Sequence, residues 1–152
     1  MFVEERWLRT TVVIKRVAAL FLLVAFFLPL SQCTVEVPTS ETRAIERQVI
    51  VTYAYSRDKW PSVDALAIYV TFLWPLLFAV ASLISPSVSG KLAIGIVEIL
   101  LCVGSGFMLF TLTYIGMLKY GAYVAMGSIG VYFIATSVQL VARMRKRWGQ
   151  QT

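Results

Sequence analysis

Residues 92–114 read LAIGIVEILLCVGSGFMLFTLTY, an apolar stretch carrying a single charge, Glu98. A helix rises ~1.5 Å per residue, so about 20 residues cover the ~30 Å of hydrocarbon in a bilayer. The stretch therefore reads as a membrane-spanning helix with one acid inside it. Residues 65–84 (ALAIYVTFLWPLLFAVASLI) and 122–142 (AYVAMGSIGVYFIATSVQLVA) meet the same length criterion with no charge at all. A fourth run, VAALFLLVAFFLPL at 17–30, is shorter and follows Lys15 and Arg16 directly. It reaches spanning length if residues 11–14 join the helix and the two cationic side chains snorkel to the headgroups. The predicted fold class is an all-α integral membrane protein, a bundle of four transmembrane helices at about 12–32, 64–84, 92–114 and 122–142. These form a single membrane domain over residues 1–152, with a loop at 34–63 between the first two spans.

Composition agrees with this reading and narrows the function. Apolar types make up 59% of the chain and mean hydropathy is +0.77, against roughly 45–50% apolar in soluble domains. The net charge of +6 is clustered at the ends of apolar segments, which is the pattern of orientation signals and not of nucleic-acid binding. The chain has no histidine, so the usual metal ligand and the commonest general base are both missing. Cys33 and Cys102 are too few for a disulfide framework or a thiolate zinc site. No cofactor is expected.

Lys and Arg set the orientation. Arg6, Arg9, Lys15 and Arg16 precede the apolar run at 17–30, Lys91 lies in the second connection, and Arg143, Arg145, Lys146 and Arg147 close the fourth span. With four spans these all fall on one side, opposite Arg43, Arg47, Arg57, Lys59 and Lys119. The positive-inside rule then predicts cytoplasmic N- and C-termini. Trp7 and Trp148 at one end, with Trp60, Tyr114, Tyr120 and Tyr123 at the other, suit headgroup-level anchors.

The 34–63 loop is the one sizeable connection. TVEV at 34–37 and QVIVTYAY at 48–55 are β-branched and aromatic, as strands are. A small hairpin, or a short helix followed by a strand, is expected. A lone hairpin is marginal in water, so it should rest on the membrane surface or on a partner. Ser62 suits the N-cap of the second span, and Pro75 near mid-span predicts a kink because proline removes a backbone donor.

Lipid offers no hydrophobic reward for joining helices, so close packing requires small residues. Gly95, Cys102, Ser105 and Gly106 lie along one stripe of the third span, and Gly121, Gly127, Ser128 and Gly130 fall on the fourth. Spans three and four are expected to form a close antiparallel pair through them. Glu98 lies within that stripe, about 10 Å beyond Lys91 at ~1.5 Å per residue. Gln139 lies about 6 Å before Arg143 on the same scale, close enough in depth for a Glu98–Gln139 hydrogen bond if the two faces meet. An unpaired carboxylate in hydrocarbon costs roughly 2.5–3.5 kcal/mol even on permissive scales, so Glu98 must face the bundle, a cavity or a partner subunit.

Residues 1–32 carry a second reading. A basic region followed by a short apolar core is signal-peptide-like, and Leu30-Ser31-Gln32-Cys33 resembles a bacterial lipobox, whose cysteine is acylated. A retained first span, a lipidated Cys33 and simple cleavage after Cys33 are the three alternatives. The four-span size is similar to that of the small multidrug-resistance transporters, but those carry their essential acid in the first span and have short loops, and the family is not assigned.

The expected function is a non-catalytic protein of a bacterial-type inner membrane. It would be an accessory or assembly subunit that meets membrane lipids and other membrane-protein subunits, or further copies of itself. The alternative is a small oligomeric transporter or channel using Glu98 for proton or cation coupling. A lipid-directed enzyme would need the Arg57, Asp58, Lys59, Asp64 cluster as its polar site.

Overall fold

The computed structural model describes residues 2–38, 45–55, 62–84, 88–114 and 117–148. They form α1 (Phe2–Phe27), β1 (Pro29–Pro38), β2 (Ile45–Tyr53), α2 (Ser62–Ile84), α3 (Val88–Thr113), β3 (Met117–Leu118) and α4 (Tyr120–Trp148). Trp60 and the charged residues Arg57, Asp58 and Lys59 lie outside the described residues. Three helices are long and apolar enough to cross a membrane, over Arg9–Phe27, Gly90–Thr113 and Tyr120–Arg145; α2 has a shorter apolar stretch, Ala65–Ala81.

Side-chain placement matches lipid surroundings. Leu20, Phe21, Val24, Leu77, Leu100, Val103, Phe107 and Ile134 are exposed, while Thr71, Glu98, Ser105, Thr136 and Gln139 are buried. This inverts the arrangement of a water-soluble bundle. The helices alternate in direction: Gln139 of α4 meets Thr11 of α1, Arg143 of α4 meets Lys91 of α3, and Trp74 of α2 meets Ser105 of α3. The broadest contact between helices is α1 along α4, followed by α3 along α4. Alanines allow the first: Ala18, Ala19 and Ala25 of α1 and Ala125 of α4 are all buried in the core.

The first span ends earlier than 32. Helix α1 stops at Phe27, and Leu28 N–H donates back to Ala25 O at 3.1 Å. The cause is Pro29, which disfavours helical backbone at the residue before it and supplies no amide donor. The apolar stretch of α1 is instead extended at its start, to Arg9.

After Pro29 the chain enters β1, which pairs antiparallel with β2, placing Cys33 opposite Ile50 and Thr34 opposite Val49. The hairpin is neither isolated nor confined to the 34–63 loop. Strand β1 begins inside the expected first span, and its first part also pairs with β3, Ser31 with Leu118 and Gln32 with Met117, in the order β2-β1-β3. Lys119 N–H donates to Leu30 O at 3.0 Å. An aromatic seam attaches the other side: Phe26 lies 5.5 Å from Tyr69, 5.6 Å from Phe72 and 6.4 Å from Tyr55, which in turn stands 5.1 Å from Tyr53. A two-stranded ribbon that is marginal alone gains a third strand and a floor of rings.

The small-residue stripes behave differently from the expected seam. Gly95 does face α4, where a Cβ would stand 3.2 Å from Leu140 Cδ1. Cβ atoms at Gly106, Gly127 and Gly130 would meet nothing within 4 Å. Gly127 lines an apolar groove between α1 and α4, bounded also by Val17, Phe21, Tyr123 and Val131. The tight glycine is Gly121, whose added Cβ would fall 2.7 Å from Pro29 O and 2.9 Å from Leu28 O. It lets the start of α4 press against the helix-to-strand junction.

Candidate functional site

The buried charge of α3 finds its partner on α1. Lys15 Nζ donates to Glu98 Oε2 in a buried ion pair, with the two residues 7% and 1% exposed. Lys15 therefore points into the bundle and does not snorkel outward, whereas its neighbour Arg16 is exposed. Tyr132 of α4 donates its hydroxyl to the other carboxylate oxygen, Oε1, at 2.8 Å, and Lys15 Nζ lies 5.0 Å from the centre of the same ring. The amino group is thus held between a carboxylate and an aromatic face.

The cluster continues into α2. Tyr132 packs edge-on against Trp74 at 5.2 Å, and Trp74 Nε1 donates to Ser105 Oγ at 2.9 Å. Lys15, Trp74, Glu98 with Ser105, and Tyr132 come from α1, α2, α3 and α4 in turn, so one chain of polar and ring contacts ties all four helices. Cys102, on the α3 turn between Glu98 and Ser105, is buried in the same core.

Gln139 does not bond Glu98. Its amide donates to Thr11 Oγ1 on α1 at 3.2 Å. The reason is that Glu98 is already satisfied by Lys15 and Tyr132, one helical turn deeper on α1 and two on α4. Arg143 closes this end of the bundle by donating from Nη1 to Lys91 O at 2.9 Å. Between these groups lies a cavity of about 190 Å³, reaching from Lys91, Arg143 and Arg16 inward to Gln139 and the Lys15–Glu98 pair. Thr136, one turn beyond Tyr132, has the one buried hydroxyl among the described residues that meets no hydrogen-bonding group.

The remaining sequence candidates stand apart from this cluster. Cys33 lies half-buried on β1, in the sheet at the other end of the bundle. Pro75 is buried inside α2, which continues through it from Ser62 to Ile84. Sequence reasoning found Glu98 and missed Lys15, Tyr132 and Trp74 as its surroundings. A signal for Lys15 existed: once Pro29 ends the helix and the apolar stretch starts at Arg9, Lys15 lies about 9 Å into it, close to the depth of Glu98 from Lys91. Nothing comparable marked Tyr132 among the aromatic residues of the chain. No family model matches this chain, and no curated protein or solved structure was found to be similar to it.

Proposed function

We propose that this chain is a non-catalytic accessory or assembly subunit of a larger complex in a bacterial-type inner membrane, crossing it four times with both termini cytoplasmic. In this reading α2, antiparallel to neighbours long enough to cross, crosses with them. The observation that carries the reading is the internal satisfaction of Glu98. A carboxylate held by Lys15 and Tyr132 works as a clamp that fixes four helices, leaving the outer surfaces for contact. Chief among those surfaces is β2, an edge strand of the sheet with Val49 exposed on it. An open edge accepts a further strand through its backbone groups.

The test is cross-linked, mild-detergent isolation of the tagged protein beside Val49→Lys, a charge that blunts an edge strand. A stoichiometric membrane-protein partner, lost in the variant while its melting temperature is unchanged, is the expected result. A partner-free preparation that moves ions or protons in proteoliposomes would overturn it. That outcome is the second reading, a small oligomeric transporter or channel. Its support is the cavity that leads from one end of the bundle to the Lys15–Glu98 pair. It requires Glu98→Gln to abolish flux in protein that still folds.

A further inference from the structure

The cavity beside the ion pair has a composition that the clamp does not explain. Four cationic side chains, Lys15, Arg16, Lys91 and Arg143, line it together with one carboxylate, Glu98. Glu98 is committed to Lys15. Arg143 uses Nη1 on the Lys91 carbonyl, which leaves most of its five N–H donors available. The side chains of Arg16 and Lys91 make no ion pair among the described residues. The positive charge is therefore in excess at a place where apolar walls, Val12, Ala79 and Ile94, focus its field.

We propose that this cavity binds a phosphate oxyanion, supplied by the headgroup of an anionic membrane lipid. Charge and chemistry select the ligand class: Arg143 can present a planar fork to two phosphate oxygens, and Lys91, Arg16 and Gln139 add single donors around it. Size agrees: a cavity of about 190 Å³ has room for a phosphate group. Position selects the source. Arg16, Lys91 and Arg143 line the cavity at the chain-termini end of the apolar helices, where a headgroup phosphate lies and where basic pockets between membrane helices take anionic lipids. This last step rests on the four-span, termini-inside reading above. The partner-binding reading is tested on β2, at the opposite end of the bundle, so either can fail alone.

The experiment is native mass spectrometry of the full chain released from mixed micelles holding equal phosphatidylglycerol and phosphatidylcholine, with and without millimolar inorganic phosphate. Wild type is expected to retain phosphatidylglycerol in preference to phosphatidylcholine. The Arg16→Gln/Lys91→Gln double variant is expected to reduce that retention about 30-fold, roughly fivefold per basic residue, and Arg143→Gln about fivefold. The double variant alters no side chain that bonds within the bundle, so its melting temperature should stay at the wild-type value and serves as the folding control. If inorganic phosphate raises the melting temperature of wild type and displaces the lipid, the oxyanion site stands and its source is free phosphate. Equal retention of the two lipids with no effect of phosphate, or retention of phosphatidylglycerol undiminished in both variants, would overturn the proposal.

Discussion

If Lys15 and Glu98 form a buried pair, removing one partner must be far worse than removing both. Lys15→Met leaves a carboxylate 1% exposed with only the Tyr132 hydroxyl to hold it. Glu98→Leu leaves an ammonium facing a ring 5.0 Å away and no counter-charge. Breaking a buried pair in this way costs about 3–5 kcal/mol. At ~2–4 °C per kcal/mol for a chain of this size, each single variant should melt about 6–20 °C below wild type. The double variant Lys15→Met/Glu98→Leu replaces the pair by apolar groups of similar volume and leaves no charge to desolvate, only the Tyr132 hydroxyl without its acceptor, so it should lose no more than about 1–3 kcal/mol. Additivity would instead place the double variant at about 6–10 kcal/mol of lost stability, and the cycle separates the two by several kcal/mol. Thermal unfolding in detergent, followed by tryptophan fluorescence, suits the assay because Trp74 stands 5.2 Å from Tyr132. Singles that melt like wild type, or a double variant that loses the sum of both, would refute a buried, mutually compensating pair.

Three further outcomes follow from the packing. Gly121→Ala should destabilise by about 1–3 kcal/mol, since its Cβ meets backbone atoms that cannot rotate away; Gly127→Ala and Gly130→Ala, which meet open space, should be neutral or stabilising by up to ~1 kcal/mol, and melting curves of the three variants check the contrast. Thr136→Val removes a buried hydroxyl with no partner, and should leave stability unchanged or raise it by roughly 1 kcal/mol, again read from the melting temperature. Cleavage before or after Cys33 would remove Lys15 from Glu98 and the start of β1 from β3, so the intact mass of the chain from membranes should be that of the uncleaved protein; a chain beginning at Cys33 with added acyl mass would contradict this.

The polar and ring contacts from Lys15 through Glu98, Tyr132 and Trp74 to Ser105 give the four apolar helices specific partners that fix one arrangement. It also changes the role of Glu98. An intramembrane acid is a functional candidate by default, yet here both oxygens are engaged within the chain, which favours a positioning role and moves the search for ligands outward to the basic cavity.

The helical segments at 92–114 and 122–142 were legible because their length and lack of charge admit few other structures in a bilayer. The strands were legible in type, from the β-branched residues around Val35 and Val49, but not in extent. Pro29 was readable as a helix stop and outweighs the apolar run around it. Strand β3 was not readable: two residues, Met117 and Leu118, have no pattern of their own and become a strand because β1 is beside them.

By itself the sequence determined the apolar character of the helices, three of them long enough to cross a membrane, and the need to compensate Glu98, because an apolar environment penalises every unpaired charge whatever the fold. Only the tertiary structure decided which groups provide that compensation. Lys15 and Tyr132 are 83 and 34 residues away along the chain, and their meeting depends on the relative depth and rotation of three helices. Those are set by contacts such as Ala25 and Ala125 in the core and Gly121 against Pro29, for which helical periodicity carries no signal.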